Sequence, residues 1–506
     1  MIPSLTYENF SLVFIFSLIA PSVIIAIARV VSREWAERYA PITSLFFLAL
    51  ALTLTIYLNP FKLVSLHLST VTIKAGYLSK LLIDPIGAFF TFFTLLTTLI
   101  IVIAMLHTRG YYSEGKGEIA LMFSILHLSL LGILLVYLSS NLLMLFVSWE
   151  LMSICIYTLI LARREHPLMI EASIKYLILS SFSSAFLLYG IALLYMVTGT
   201  LTLNPKAIST VTVHTSNIKL LILGLILTSI AFSFKAAIVP FHTWAPDVYQ
   251  ASLAPLSAYF SAIASKAGIF GIIRIITSYW PLISRIGVIK NTLTYTFTAM
   301  ALTSMFIANI SALLQENLKR LLAYSSINHM GFTLLAISCL TPLGFVAAVF
   351  HSFNHALTKA LLFITCEHFE LIKGTTNLKD ITGIGRRTPT IGVPLALGFL
   401  SILGVPGLNC FLSEYLIFYA LVQAKQYIPL SLAIANLTIA LFYYLRPLNI
   451  ICIRRQSEEK SRLYAGIVIA LFILCSICIL IGVYPKPIFN WLNNIKIFLE
   501  QILTLK

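Results

Sequence analysis

Long apolar runs, each close to the ~20 residues a helix needs to cross a hydrocarbon core, recur along the chain and are parted by short polar connections. Measured with that ruler, helices are predicted near residues 10–31, 41–58, 84–108, 118–138, 140–162, 171–196, 217–239, 254–279, 290–313, 319–340, 343–372, 391–423, 426–451 and 463–485. The pattern predicts an all-α polytopic membrane protein with about 14 transmembrane helices. Two connections depart from it. Leu63 to Ile73 and Leu201 to Val213 are rich in Thr and Val with alternating polarity, and they predict short β-hairpins on the outer face.

Composition agrees: 59% of residues are hydrophobic and 10% charged, against about 25% charged in soluble domains. The net charge of +16 is spread over short loops rather than gathered on one face, which argues against nucleic acid and for a topogenic role beside membrane lipid. Odd-numbered connections hold most of it, including Arg29, Arg33, Arg38, Arg109, Lys116, Arg163, Arg164, Lys319, Arg320, Lys373, Lys379, Arg386, Arg387, Arg454, Arg455, Lys460 and Arg462. With an even helix number, both termini are expected outside. The seven cysteines lie almost wholly in apolar segments and read as small core residues. No cationic stretch precedes the first apolar run, so the N-terminus reads as a retained helix rather than a removed signal. No Gly-rich phosphate loop or cysteine cluster occurs, and no cofactor is expected in this chain.

The chemistry lies in charges within the apolar runs. Lys235 and Lys266 sit in helical segments on either side of Pro240, Pro246 and Pro255. A lysine at membrane depth is costly unless it faces protein or water, and broken helices beside charged residues are how transporters build ion sites. Glu150, in the fifth helix, is the expected partner of Lys235; a static link between helices is the bland alternative. Gly268 and Gly271, just after Lys266, leave room for another helix or a file of water. Lys175 follows Glu171 by four residues and predicts an interfacial ion pair as readily as a relay entrance. In the second half, Ser325, Ser326 and His329 share a helix face, and His351, His355 and Lys359 recur at intervals of four. His351 alone reads as a hydrogen-bonded core residue, whereas His329, His355 and Lys359 together suggest a proton path. His351 and His355 have ligand spacing but lack an evident third ligand, so no metal is expected. Gly404, Pro406 and Gly407 interrupt the twelfth segment ahead of Glu414.

The seventh and twelfth segments are thus both discontinuous and lie five helices apart. Helices 4–8 and 9–13 read as two five-helix repeats, and since five is odd the second copy is inverted. The expected division is residues 1–117 for helices 1–3 with the external hairpin, 118–280 and 281–451 for the repeats, and 452–506 for helix 14 and a tail.

The strings SWELM, FKAAIVPFHTWAPDVYQASLAPLSAY, SKAGIFGIIR, LKRLLAYSSINHMGF, HSFNHALTKALLF and GVPGLNCFLSE resemble the antiporter-like subunits shared by respiratory complex I, Mrp-type sodium/proton antiporters and membrane-bound hydrogenases. The likeness covers roughly Asp84 to Tyr444. It implies that Glu150, Lys235, Lys266, His329, His355 and Glu414 match the family's ion-translocating residues. Asn354, His355 and Lys359 look like the Mrp and hydrogenase branches, and Glu414 like complex I. It implies a proton- or sodium/proton-translocating subunit of a redox-driven complex in a prokaryotic plasma membrane, with other membrane subunits and a peripheral redox arm as partners. Any iron–sulfur or nickel–iron centres would belong to those partners. The alternatives are an Mrp-type sodium/proton antiporter without redox chemistry, and a scaffold with a defunct channel. The long lateral helix of the largest family member is expected to have no counterpart after Lys486.

Overall fold

A computed structural model describes residues 4–57, 71–74, 80–107, 119–161, 167–454 and 462–505. The loop cations Arg109, Lys116, Arg163, Arg164, Arg455 and Lys460 and most of the Leu63–Ile73 stretch lie outside them. The principal helices are α1 (Ser4–Val31), α2 (Arg33–Tyr57), α3 (Pro85–Ala104), α4 (Ile119–Tyr137), α5 (Leu142–Ile160), α6 (Pro167–Thr198), α7 (Ile218–Lys235), α8 (Trp244–Ala251) and α9 (Ala254–Ser278). After them come α10 (Gly287–Leu313), α11 (Leu318–Ser338), α12 (Pro342–Lys373), α13 (Pro389–Ile402), α14 (Asn409–Gln423), α15 (Tyr427–Leu448), α16 (Ala465–Val483) and α17 (Lys486–Leu503). Among the described residues, 11 helices are long and apolar enough to cross a membrane.

Local chemistry sets many of the ends. Asp84 and Thr341 accept hydrogen bonds from the amides three residues on, and each precedes a proline at the first helical position, where the missing N–H costs nothing. Gly374, with φ +66°, closes α12 in the left-handed conformation.

Every residue from 252 to 283 and from 344 to 370 is buried. So α9 and α12, though they carry lysines and histidines, form the centre of the bundle. Helix α12 touches α3, α9, α11, α13, α14, α16 and α17. Peripheral helices turn apolar side chains outward at helical spacing: Leu143, Val147 and Ile154 on α5, and Ile174, Ile178 and Phe182 on α6, are exposed as lipid-facing positions would be.

The two Thr- and Val-rich connections differ in part from expectation. Strand β1 (Val71–Lys74) pairs antiparallel with β2 (Lys80–Ile83), Val71 opposite Ile83 and Lys74 opposite Lys80. The Leu82 amide bonds the Leu138 carbonyl at 2.9 Å, tying the hairpin to the end of α4. The Leu201–Val213 piece is not a hairpin. Thr202 makes one bridge to Asn141, after which Asn204 caps a short helix, Pro205–Ser209, because the Asn-Pro pair is a helix start. The tail after Lys486 forms α17, which packs Trp491 against Phe89 and Phe92, with ring centroids 4.9 and 5.2 Å apart.

The same local geometry occurs twice. Asn141 caps α5 while Leu142 N bonds Leu201 O at 2.8 Å and Leu203 N bonds Ser140 O at 3.0 Å. Asn317 caps α11 while Leu318 N bonds Thr376 O and Leu378 N bonds Glu316 O, both at 2.9 Å. Helices α6 and α12 both begin at proline and both run 32 residues.

Candidate functional site

Helix α7 stops at Lys235 and the chain resumes as α8 at Trp244. Ala237 takes φ +56°, and the Ala236, Ala237 and Ile238 amides bond the carbonyls of Phe232, Phe234 and Ser233. The break between α13 and α14 is built alike: Gly404 has φ +72°, and Leu403, Gly404 and Val405 bond Phe399, Ser401 and Leu400. Both are left-handed helix terminations, in which the following amides satisfy carbonyls the helix has abandoned. Side chains brace each gap. Trp244 Nε1 donates to Phe234 O at 2.8 Å across the first. Across the second, Ser401 Oγ donates to Asn409 Oδ1 at 2.6 Å, and Asn354 and Asn409 each donate to the other's backbone carbonyl, at 2.9 and 3.1 Å.

The Lys235 ammonium is fully buried, donates to Ser153 Oγ at 3.2 Å and to the Tyr176 hydroxyl, and lies over the Trp149 and Tyr176 rings. Glu150 is partly buried and accepts a hydrogen bond from Ser184 Oγ. Among the described residues no direct ion pair joins Glu150 to Lys235. The two are near one another instead through α5, where Ser153 is one turn from Glu150. Helix α6 supplies a hydroxyl to each charge, Tyr176 to the lysine and Ser184 to the glutamate, which is why they need not touch.

Lys266 follows a π-helical turn, Phe260–Ala264. Such a turn displaces the carbonyl ladder and is frequent at functional sites. Here it presents Ser261 O to Lys266 Nζ at 2.9 Å; Ser265 Oγ lies 3.1 Å away and His355 Nδ1 2.8 Å away. The space beside Gly268 and Gly271 holds a helix, not a file of water. A Cβ on Gly268 would meet the Phe232 carbonyl and the Ala236 amide, and one on Gly271 the Phe232 ring, so the two glycines seat the end of α7 against α9.

From Lys266 the polar groups run on without reaching the surface. The His355 and His329 rings are 5.3 Å apart, and His329 Nδ1 lies 3.2 Å from His351 Nε2 and 3.9 Å from Glu414 Oε1. His355 therefore stands between Lys266 and His329, the reverse of the order in which the sequence presents them. His351 is hydrogen-bonded, as expected of a core histidine, but its partners are His329 and, at 3.0 Å, Ser413 Oγ, which makes it part of the cluster. Lys359 is set to one side: its ammonium donates to Leu322 O at 2.9 Å and Ser325 Oγ at 2.7 Å. Gly404 lies against the Glu414 carboxylate, where a Cβ would collide with Oε2. Among the described residues no group of three or more His, Cys, Asp or Glu side chains is arranged to hold a metal.

A second charged cluster holds α8 and the start of α9. Asp247 accepts from Lys175 at 2.8 Å and Arg320 at 2.7 Å, and Lys175 also pairs with Glu171 at 2.6 Å. Lys319 pairs with Glu370 and reaches Ser252 O at 2.5 Å, while Glu370 accepts the Ala254 amide. The Glu171–Lys175 pair matches the interfacial reading; its tie to Asp247 comes from a segment 72 residues away and has no local signal.

Sequence reasoning missed Tyr176, Ser184, Ser413, Tyr444 and the π turn. A tyrosine inside an apolar helix needs a partner for its hydroxyl, and that is the one signal Tyr176 and Tyr444 carried.

Residues 139–440 match the family model described as NADH:quinone oxidoreductase/Mrp antiporter, TM. NADH-quinone oxidoreductase subunit N 2 of Acidobacterium capsulatum is 31% identical over 417 residues, 79% of this chain and 82% of that one. A chain of an archaeal membrane-bound sulfane sulfur reductase superposes with TM-score 0.85 and 27% identity, covering 96% of this chain and 98% of its own. A chain of the Mrp complex from Dietzia superposes with TM-score 0.83 and 19% identity, covering 97% and 99%, and shares the fold. With its buried lysine–histidine file and paired helix breaks, the chain belongs to the family of antiporter-like membrane subunits of NADH:quinone oxidoreductases and Mrp antiporters.

Proposed function

We propose that this chain is the proton-translocating subunit of a redox-driven ion-pumping complex in a prokaryotic plasma membrane. The observation that carries the reading is the buried file Lys266–His355–His329–Glu414, which lies between two helix breaks and in the most enclosed part of the bundle. Ionisable groups so placed are functional by default. The relatives at 31% and 27% identity are subunits of redox complexes, which favours redox coupling over sodium/proton exchange.

In this reading the chain crosses the membrane fourteen times: α11, α12 and the interrupted pair α13–α14 join the eleven long apolar helices. The repeated capping of α5 and α11 and the repeated termination after α7 and α13 support two five-helix units, the second inverted because five is odd; the loop cations are the ground for placing both termini outside. Glu150 keeps Lys235 protonated across α5. When a neighbouring subunit draws Glu150 away, Lys235 loses its counter-charge and passes a proton to Lys266, then through His355 and His329 to Glu414 and out. Each elementary charge moved costs about 2.3 kcal/mol per 100 mV. That energy comes from a peripheral redox arm, whose iron–sulfur or nickel–iron centres belong to partner chains, transmitted through other integral membrane subunits.

The test is Glu150→Gln and Lys235→Ala in the assembled complex, with proton uptake by inverted vesicles measured against electron-transfer rate. Pumping is expected to be lost. Unimpaired pumping would refute the assigned roles, and a complex that co-purifies with small multi-spanning chains alone would favour exchange.

A further inference from the structure

Lys359 is not on the direct line from Lys266 to Glu414, yet it is buried at 0% exposure and held by two acceptors. Beyond one of them, Ser325 Oγ, lies the hydroxyl of Tyr444 on α15, in hydrogen-bond contact, and Tyr444 Oη is 3.1 Å from His329 Nε2. We propose that the Tyr444 hydroxyl is a relay joining Lys359 to His329, so that two lysine branches meet at one histidine. The inference rests on the proton-path reading above.

The hydrogen bonds have one consistent direction. An ammonium has donors only, so Lys359 gives a hydrogen to Ser325. Ser325 then turns its own hydrogen to Tyr444, and Tyr444 turns its hydrogen to His329 Nε2. A proton moves by exchange along this line: the Lys359 N–H bond breaks as a Ser325 O–H forms, Ser325 releases its hydrogen to Tyr444, and Tyr444 releases its own to His329. The net change is neutral Lys359 and protonated His329, with both hydroxyls restored. The imidazolium then faces His351 and the Glu414 carboxylate through Nδ1. The Lys266 branch arrives differently, since His355 meets His329 across 5.3 Å between ring centroids and its Nε2 makes no hydrogen bond among the described residues. The hydroxyl line is the branch that is hydrogen-bonded throughout.

One further observation fits. Tyr444 is fixed in place, with Tyr443 at 4.3 Å and Phe399 at 5.9 Å between ring centroids, so its hydroxyl is aimed rather than free to swing.

The experiment uses inverted membrane vesicles carrying the intact complex. Tyr444→Phe keeps the ring and removes the relay hydrogen; Ser325→Ala removes the preceding hydroxyl. Each is expected to lower initial proton uptake per electron transferred about tenfold, short of the ~100-fold a positioned proton donor can contribute, because the Lys266 branch remains. The double variant is expected to be no worse than either single, since both cut one line. Tyr443→Phe, which loses a 2.9 Å bond to Asn309, is expected to pump normally. Wild-type pumping by Tyr444→Phe and Ser325→Ala, while Glu414→Gln abolishes it, would overturn the relay and leave the path standing. Losses that simply multiply in the double variant would also overturn it, by revealing two separate structural defects. Should Glu414→Gln itself pump normally, the underlying path is wrong and the relay falls with it.

Discussion

Asp84 and Arg274 form an ion pair well away from the lysine file, with side-chain exposures of 0% and 6%. Asp84 also caps α3, its Oδ1 accepting from Gly87 N at 2.7 Å, while Arg274 donates to Tyr137 O at 3.1 Å. One pair therefore fastens the start of α3, the end of α4 and the last turns of α9. Removing one member of a buried pair leaves the other charge uncompensated, at a cost of about 3–5 kcal/mol, whereas replacing both is often close to neutral. Arg274→Met is expected to destabilise by that amount. Asp84→Asn is expected to do nearly the same despite keeping the cap, since Asn serves there as well as Asp. The double variant Asp84→Asn with Arg274→Met is expected within about 2 kcal/mol of wild type, so the coupling in a double-mutant cycle exceeds about 3 kcal/mol. Denaturant unfolding of the full chain in mild detergent reads all four species. Single-variant effects that add to the double within about 0.5 kcal/mol would show that the pair has no energetic identity, and the reasoning would fail.

Lys319→Met removes the cation from Glu370 and Ser252 O where α9 begins; a loss of about 3–5 kcal/mol is expected, with faster limited proteolysis between residues 247 and 254. Asp247→Asn acts on a cluster whose members are 23–46% exposed around that residue, so a loss of no more than about 1 kcal/mol is expected; a larger one would mean the cluster is tighter than its exposure suggests. Gly404→Ala forces a side chain to φ +72° against the Glu414 carboxylate, costing about 1–3 kcal/mol. Assembly is expected to survive while pumping falls, and an unaltered pumping rate would show that the carboxylate has room to move.

Much of this was legible from the chain alone because it is coded locally. Apolar length marks crossing helices, Pro240 and Pro406 mark the breaks, and the four-residue spacing of His351, His355 and Lys359 puts them on one face whatever surrounds them. What stayed hidden depends on which helices become neighbours. Ser184 meets Glu150 across 34 residues and Tyr444 meets Ser325 across 119, and no periodicity encodes either pairing. For Glu150 and Lys235, charge alone suggested the partnership, and nothing local announced that hydroxyls of α6 would hold each of them. Helix α17 escaped because the apolar-length ruler passes over a segment whose Asn490, Asn493, Lys496 and Glu500 lie on an exposed face.

The π-helical turn ahead of Lys266 makes the length of that stretch a functional quantity in its own right. A π turn closes i→i+5 bonds where an α turn closes i→i+4, so it holds one residue more around the same axis. Excising a single residue from Phe260–Ala264 would let the segment relax into an ordinary spiral with Lys266 facing nearly the same way, but the widened turn that frees the Ser261 carbonyl for its ammonium would be gone. A deletion here should be worse tolerated than substitutions that keep the chain length, because the part being specified is a carbonyl set loose from the helix ladder.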